Sequence, residues 1–270
     1  MSYCEFLIVG AMKAGTTTLY RDIQEHPDLF LPEQKEPEIL CNLSSDKGRL
    51  QAYERLMQPA KAGQFRGEAS TAYTKLPDYP EVADIALRLF GPNLKIIYLQ
   101  REPVARAISH YRHEYVGGVE SRDIDSALVD SLCYANYGRY DWQIDQWVQA
   151  FGESAVLRLS FDDYIANRTA VARQVCAHIG VDPELLPDVP DQEVHNSSSD
   201  KYAETGMRRL FLHSNLFQVW LKPYIPLSVR LKFKKVILNK AKKSQKIISS
   251  STKKVLRERV YTNLNRVNDR

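Results

Sequence analysis

The clearest indication of the fold is a stretch near the amino terminus with the sequence EFLIVGAMKAGTTT, from residue 5 to residue 18. The run Glu5–Val9 is short and apolar, which is typical of a strand that is buried on both faces. Gly10 and Gly15 bound a loop, and a helical pattern begins at Thr16. Such a loop turns backbone N–H groups towards one point, where Lys13 adds a positive charge. This stretch therefore predicts a strand–helix unit with an anion-binding loop.

The same alternation of strand and helix patterns continues along the chain. Two further buried strands are predicted over Leu94–Gln100 and Ala155–Phe161, with a short one near Gln64–Gly67. Helical patterns follow over Pro103–Tyr115 and Asp163–Ile179. Strands that alternate with helices predict an α/β fold: a three-layer, P-loop-like domain with a central parallel sheet of about five strands flanked by helices. We expect the core to span residues 1–205, and residues 206–270 to form a helical basic extension packed on the same domain.

Composition narrows the protein class. The chain has 270 residues, of which 44% are hydrophobic and 26% charged, as in an ordinary globular protein. Its four cysteines lack the CxxC spacing of a zinc site and are interpreted as isolated thiols of a reducing compartment. We expect no signal peptide and no membrane-spanning segment. These features predict a cytoplasmic location.

The charge is concentrated in the carboxyl-terminal part. Between Lys222 and Arg259 there are thirteen Lys or Arg residues and one acidic residue, Glu258. One interpretation is a solvated cationic face of the domain. The others are peripheral contact with an anionic membrane, at its inner face, and a groove for a polyanionic acceptor. Nucleic acid is not expected as a partner, because the segment lacks the signature of a recognition domain.

The amino-terminal loop differs from a Walker A loop in one respect. Gly10 and Gly15 occupy the glycine positions of G-x-x-x-x-G-K-[ST], but Lys13 lies inside the loop and Thr16 stands at the usual lysine position. The order G-x-x-K-[AS]-G-T-[TS] resembles the 5′-phosphosulfate loop of the sulfotransferases that use 3′-phosphoadenosine 5′-phosphosulfate (PAPS). The closest branch contains the heparan sulfate sulfotransferases and their bacterial relatives. The resemblance implies that Lys13, Ala14, Gly15, Thr16, Thr17 and Thr18 bind the 5′ end of the donor.

A second motif follows the strand Leu94–Gln100. An arginine at the carboxyl end of a parallel strand and a hydroxyl two helical turns later can hold a phosphate together. Arg101 and Ser109 fall on the phosphate-binding positions of R-[DEN]-P-x-x-R-x-x-S-x-[YF], the 3′-phosphate motif of the same family. Weaker similarities begin at Gly67, Gly138 and Asp162, so that the resemblance covers roughly residues 5–200. It implies PAPS as donor, PAP as product, and an acceptor hydroxyl or amine, which we expect on a carbohydrate or a lipid-linked glycan.

Sulfuryl transfer needs a cation at the leaving phosphate and a base at the acceptor. Lys13 is the candidate for the first role, and no metal is required in principle. The segment Gln34–Leu40 resembles the family's K-E-x-H-F-F stretch, which makes Glu36 the candidate base, although Glu38 stands at the histidine position. Glu68 is the alternative base, and the histidines are weaker candidates.

Two other classes of function stay open at this point. A P-loop phosphotransferase would need a lysine beside the threonines and an aspartate at the end of a second strand, but the strand Leu94–Gln100 ends at Arg101. A non-catalytic nucleotide-binding or membrane-tethering module could retain the same fold. Binding of PAP in preference to ATP would exclude the phosphotransferase, and turnover of PAPS would exclude the module.

Overall fold

The computed structural model describes residues 3–190, 202–203, 239–240 and 248–261. Within them, five strands form one parallel sheet in the order β2-β3-β1-β4-β5. These strands are Phe6–Gly10 (β1), Leu29–Phe30 (β2), Phe65–Ala69 (β3), Lys95–Gln100 (β4) and Val156–Ser160 (β5). A separate antiparallel pair joins Tyr202–Ala203 (β6) to Asn239–Lys240 (β7). The predicted parallel sheet is confirmed.

Helices flank this sheet and complete the three layers. They are Thr16–Gln24 (α1), Ile39–Asn42 (α2), Asp46–Met57 (α3), Val82–Phe90 (α4), Pro103–Val116 (α5), Ile124–Asp130 (α6), Cys133–Asn136 (α7), Tyr140–Phe151 (α8), Phe161–Ala166 (α9), Arg168–Ile179 (α10) and Ser250–Tyr261 (α11). Helix α1 packs against α10, and α4 packs against α8. Helices α8 and α10 both lie against β4 and β5. The predicted α/β class is therefore confirmed.

Strand β1 is the centre of the sheet because it is apolar along its whole length. All five of its residues are buried, and it pairs with β3 on one side and β4 on the other. Leu7, for example, lies between Glu68 and Ile96. Since β1, β3 and β4 are parallel, the loops that follow them emerge at the same edge of the sheet.

The prediction of a single helix over Asp163–Ile179 is wrong, because the helix is interrupted at Asn167. This residue has an extended φ of −150° and ψ of 83°, and its side chain accepts a hydrogen bond from the Ala170 amide at 3.0 Å. It ends α9 and caps α10, as asparagine does at helix starts. Phe161, predicted to end a strand, instead begins α9, because the hydroxyl of Ser160 accepts from the Asp163 amide at 3.3 Å.

A buried ion pair fixes the helix that follows the anion-binding loop. The guanidinium of Arg168 on α10 donates to Asp22 on α1 from Nη2 at 2.6 Å and from Nε at 3.1 Å. Both side chains are 4% exposed. Removal of either partner would leave a buried charge uncompensated, which typically costs about 3–5 kcal/mol. The pair therefore holds α1 in place under the sheet edge.

The last described helix, α11, packs on the outside of α5, α6 and α7. Its apolar side contributes Leu256 and Val260 to a small core, and the Ser249 amide before it donates to Asp125 Oδ1 at 3.0 Å. The rest of the predicted extension lies outside the described residues, apart from β7, so the boundary at residue 205 stays a prediction. No helix in the described ranges is long and apolar enough to cross a bilayer. All four cysteines are free thiols.

Candidate active site

The loop between β1 and α1 has the geometry of an anion site. Lys13 and Gly15 adopt positive φ angles of 70° and 97°, which turn the chain sharply before α1. Gly15 is the N-cap of α1 and offers no side chain to cap it. The first amides of the helix, those of Thr16 and Thr17, have no acceptor within the helix. Together with the helix dipole they favour a bound phosphate or sulfate group.

Gly15 is required because an aromatic ring lies directly over it. A Cβ atom at this position would come within 2.8 Å of Cε2 and 2.9 Å of Cδ2 of Phe161. The other neighbour of that ring is the Arg101 guanidinium, whose Cζ lies 4.7 Å from the ring centroid. Phe161 therefore joins the anion-binding loop to the arginine of the second motif. This contact is of the cation–π type, which stabilises the guanidinium orientation.

Arg101 is held at the end of β4 by contacts from two directions. Its Nη1 donates to the Lys13 carbonyl at 3.4 Å, and its own carbonyl accepts from the Tyr140 hydroxyl at 2.5 Å. The structure thus brings Arg101 next to the loop, and the binding roles predicted for both stay predictions. Ser109 lies two turns along α5 and is half-buried. Its predicted part in phosphate binding stays a prediction.

A cavity of about 320 Å³ opens beside Arg101. Its floor is formed by the carboxyl ends of β4 and β5, at Gln100 and Ser160. Arg139 and Tyr140 form one side, and Tyr261 at the end of α11 closes another. Open α/β sheets bind their ligands in such crevices at the carboxyl ends of strands. Arg101 both lines the cavity and contacts the anion-binding loop, so it links the two.

Glu36 is held in a strained loop with part of its carboxylate open to solvent. Its φ of 58° is unusual for a residue with a side chain. Oε2 accepts from the Thr71 amide at 2.7 Å and from its hydroxyl at 3.2 Å, while Oε1 forms an ion pair with Lys35. The side chain remains 34% exposed. A positioned, accessible carboxylate of this kind can accept a proton from an acceptor group.

Glu68, the alternative base, lies inside the core. It has no exposed surface, and its carboxyl oxygens accept from the Tyr53 hydroxyl at 2.9 Å and from the Ser70 hydroxyl at 2.8 Å. Burial raises the pKa of Glu68 to about 7, although these hydrogen bonds oppose the shift. Ser70 in turn accepts from the Glu38 amide at 3.0 Å. Glu68 therefore supports the Glu36 loop from the core, and Glu36 is the more accessible of the two carboxylates.

The raised pKa of Glu68 predicts a pH dependence of stability. Because the folded pKa of about 7 exceeds the ordinary value of 4.5, the folded state binds the proton more tightly, and stability falls as pH rises between these values. The variant Glu68→Gln cannot ionise and should lack this fall, which amounts to at most about 3 kcal/mol. Urea unfolding of both proteins at pH 5 and pH 8 measures it. A constant difference between the two proteins across this range would contradict the assignment.

Contacts with β1 place Glu36 and the anion-binding loop at the same sheet edge. The Glu36 amide donates to the Ala69 carbonyl of β3 at 2.9 Å. In the turn that follows β3, the Ser70 amide donates to the Ile8 carbonyl at 3.2 Å, and the Thr74 hydroxyl donates to the Val9 carbonyl at 2.7 Å. Since Val9 immediately precedes the loop, the candidate base and the candidate phosphate site are built on adjacent strand ends.

Two histidines in the described part of the chain, His26 and His110, have structural contacts. His26 is buried, its Nε2 lying 2.8 Å from the Asp182 carbonyl and its Nδ1 accepting from the Asp28 amide. His110 is buried on α5, with Nε2 3.0 Å from Glu114 Oε1. Burial lowers the pKa of His110, so that its neutral form is favoured. These contacts favour a carboxylate base over either of these histidines.

Sequence reasoning missed the aromatic and cationic residues around Arg101. Phe161, Tyr140, Arg139 and Tyr261 all contribute to this region of the structure. Phe161 stands immediately after β5, and the rule that ligands bind beyond the carboxyl ends of strands could have identified it. Tyr261 is separated from Arg101 by 160 positions, so no local pattern indicates their proximity.

The fold and the site together define a P-loop-like α/β protein with an anion-binding loop, a neighbouring arginine and a carboxylate at one sheet edge. A family model described as the sulfotransferase family matches residues 5–184, well over half of the chain. The chain therefore belongs to the sulfotransferase family.

Individual relatives agree with this assignment. The chain is 26% identical over 184 residues to heparan sulfate glucosamine 3-O-sulfotransferase 3B1 of Mus musculus, which covers 65% of this chain and 45% of the relative. It is 28% identical over 186 residues to the 3-O-sulfotransferase 6 of the same organism, with 65% and 52% covered. The chain thus spans about half the length of the curated relatives it matches.

Solved structures show the same architecture. A sulfotransferase from Alicyclobacillus acidocaldarius superposes with a TM-score of 0.60 at 28% identity, over 68% of this chain and 84% of that one. A sulfotransferase domain from the curacin biosynthetic pathway gives a TM-score of 0.52 at 16% identity, over 94% and 96%. The second likeness is one of fold alone.

Proposed function

We propose that this protein transfers a sulfuryl group from PAPS to a hydroxyl or amine of an acceptor, with Glu36 as the general base. The observation that carries the proposal is the meeting of three elements at one sheet edge. An uncapped helix start lies beside Lys13, Arg101 contacts the same loop, and a partly exposed carboxylate is held on the neighbouring strand end. In-line sulfuryl transfer needs an anion cradle, a second phosphate site and a base.

The residues present suit PAPS as the donor and PAP as the product. The 5′-phosphosulfate would lie at Lys13–Thr18, and the 3′-phosphate at Arg101 and Ser109. Membership of the sulfotransferase family supports PAPS as the donor. The loop also lacks the lysine that phosphotransferases need at the position of Thr16. When bound, PAPS supplies the sulfuryl group and a phosphate leaving group. Lys13 would stabilise the charge that develops on that leaving group, and Glu36 would take the acceptor proton.

The proposed acceptor is a glycan or glycolipid. Curated relatives are described as heparan sulfate glucosamine 3-O-sulfotransferases, which favours a sugar hydroxyl. The segment Glu38–Leu40 departs from the pattern of the glycan-modifying enzymes, so the proposed acceptors also include an amine and a lipid-linked sugar. Membrane contact through Lys222–Arg259 and a cytoplasmic location also stay predictions.

Ligand-induced thermal stabilisation tests the donor first. A ligand that binds only the folded state stabilises it by RT ln(1 + [L]/Kd), so that at equal concentration the tighter ligand gives the larger stabilisation. PAP should raise the melting temperature more than ATP or GTP with magnesium. Transfer of radiolabel from PAPS into fractionated cell extract then identifies the acceptor. Preference for ATP would support a phosphotransferase, and binding of PAP without any transfer would support a non-catalytic module.

The variant Arg101→Ala tests whether Arg101 binds the 3′-phosphate end of the donor. Loss of a charge-assisted hydrogen bond typically costs about 1.5–3 kcal/mol, so PAP affinity should fall roughly 10- to 100-fold. Adenosine 5′-phosphosulfate, which lacks the 3′-phosphate, should lose much less. Isothermal titration with both ligands provides the comparison. An equal loss for both would show that Arg101 acts through its contacts with Lys13 and Phe161 and not on the 3′-phosphate.

A further inference from the structure

Arg106 is the largest charged side chain that the fold buries completely. It lies on α5 with 0% of its surface exposed. Nη2 donates to the Tyr134 carbonyl at 2.5 Å, but Nε and Nη1 are buried with no hydrogen-bond partner among the described residues. A buried guanidinium normally needs several acceptors and a counter-charge. This one is only partly satisfied.

The other buried arginines in the described ranges show how this fold compensates a structural guanidinium. Arg168 forms a two-bonded ion pair with Asp22, and Arg49 pairs with Asp46 at 2.8 Å. Arg106 forms no ion pair with any described residue. Burial lowers its pKa, and the groups that act most strongly on that pKa after burial are Tyr140 and Tyr98, which are neutral at pH 7. Within the described part of the chain, its charge is therefore uncompensated.

The uncompensated charge lies immediately behind the wall of the cavity beside Arg101. Gly138 and Pro103 both line that cavity. A Cβ atom at Gly138 would be 3.5 Å from Arg106 Nε and 3.4 Å from Pro103 Cβ. Gly138 has no side chain, so the guanidinium of Arg106 closely approaches the backbone of a residue that lines the cavity. Arg101 and Arg139 line the cavity, and Arg106 lies behind its wall at Gly138.

Acidic side chains also surround the cavity, but solvent screens their charges more than it screens the buried charge of Arg106. Glu102, Asp141 and Asp162 also line the cavity and are exposed. Exposed charges are largely screened by water and salt, whereas a buried charge keeps most of its field. The side chain of Glu102 is further engaged in capping α5, accepting from the Ala105 amide at 2.6 Å. Arg106 therefore adds a weakly screened positive charge to the charges that already surround the cavity.

We propose that the uncompensated guanidinium of Arg106 attracts and positions the 3′-phosphate of the nucleotide through the cavity wall at Gly138. This inference rests on the proposed function, which places that phosphate beside Arg101. It adds a binding residue that does not touch the ligand, and it explains why α5 retains a buried charge without a carboxylate. The bound phosphate is the missing counter-charge.

The test compares Arg106→Met with Arg112→Met, a control on the exposed face of the same helix. Calorimetric affinities are measured for PAP and for adenosine 5′-monophosphate, which lacks the 3′-phosphate, at low and high salt. Arg106→Met should weaken PAP about tenfold or more and the monophosphate much less, with little relief by salt. Arg106→Lys keeps the charge and should preserve most of the PAP preference. Arg112→Met should leave both affinities unchanged.

The ligand-free melting temperature distinguishes this role from a structural one. Replacing an uncompensated buried charge by an apolar side chain of similar length is often neutral or stabilising, so Arg106→Met should melt at the wild-type temperature or above. A clearly lower melting temperature, failure to fold, or equal loss of both ligands would overturn the inference. A wild-type protein that does not prefer PAP over the monophosphate would instead overturn the proposed function.

Discussion

Glu36→Gln is expected to lower kcat about 10²- to 10⁴-fold, the usual contribution of a general base. The substitution keeps the shape of the side chain and one oxygen that accepts from Thr71, but it removes the proton acceptor. Binding of PAP should change by no more than a few-fold, because Glu36 is anchored at the end of β3 and not in the anion-binding loop. Radiolabel transfer from PAPS measures the rate, and calorimetry measures PAP affinity.

Two neighbouring carboxylates serve as controls for this prediction. Glu38→Gln alters a carboxylate in the same loop, and Glu68→Gln alters the buried one beneath it. Both should retain most of the turnover if Glu36 takes the proton. If Glu68→Gln loses turnover while Glu36→Gln keeps it, the base is Glu68. If Glu36→Gln and Glu68→Gln both remain active, neither of these two carboxylates takes the proton from the acceptor.

Lys13→Met should lower kcat about 10²- to 10³-fold, the range seen when one preorganised group that stabilises developing charge is removed. Methionine keeps most of the length of the side chain and lacks the charge. The backbone of residue 13 already has a positive φ and its carbonyl accepts from Arg101, so the main-chain part of the cradle is retained. The rate should therefore fall more than the affinity for PAP.

Lys47→Met, at an exposed position on α3, is the matched control for loss of a lysine charge. It should leave both rate and affinity unchanged. The decisive comparison is kcat against PAP affinity in Lys13→Met. A loss of affinity as large as the loss of rate would mean that Lys13 binds product and donor equally and gives no preferential stabilisation of the transition state.

The elements that sequence predicted correctly are those with strong local patterns. The run Glu5–Val9 is apolar on both faces, and such a run is stable only inside a sheet. Pro103 and the Glu102 cap define the start of α5 within a few residues. The break at Asn167 was missed because its neighbours favour helix on both sides, and the capping hydrogen bond to Ala170 outweighs that preference.

Local patterns in the sequence sufficed to predict the parallel sheet and the placement of Arg101 at a strand end, and they led to the prediction that Lys13–Thr18 bind an anion. These depend on residues close together in the chain, whose spacing is imposed by strand and helix geometry. The packed structure was needed to show that Phe161 covers Gly15, that Thr71 holds Glu36, and that Arg106 is buried without a carboxylate partner in the described part of the chain. Such contacts join residues far apart in sequence. Their energy depends on burial and on which charges meet, and neither quantity exists until the layers have packed.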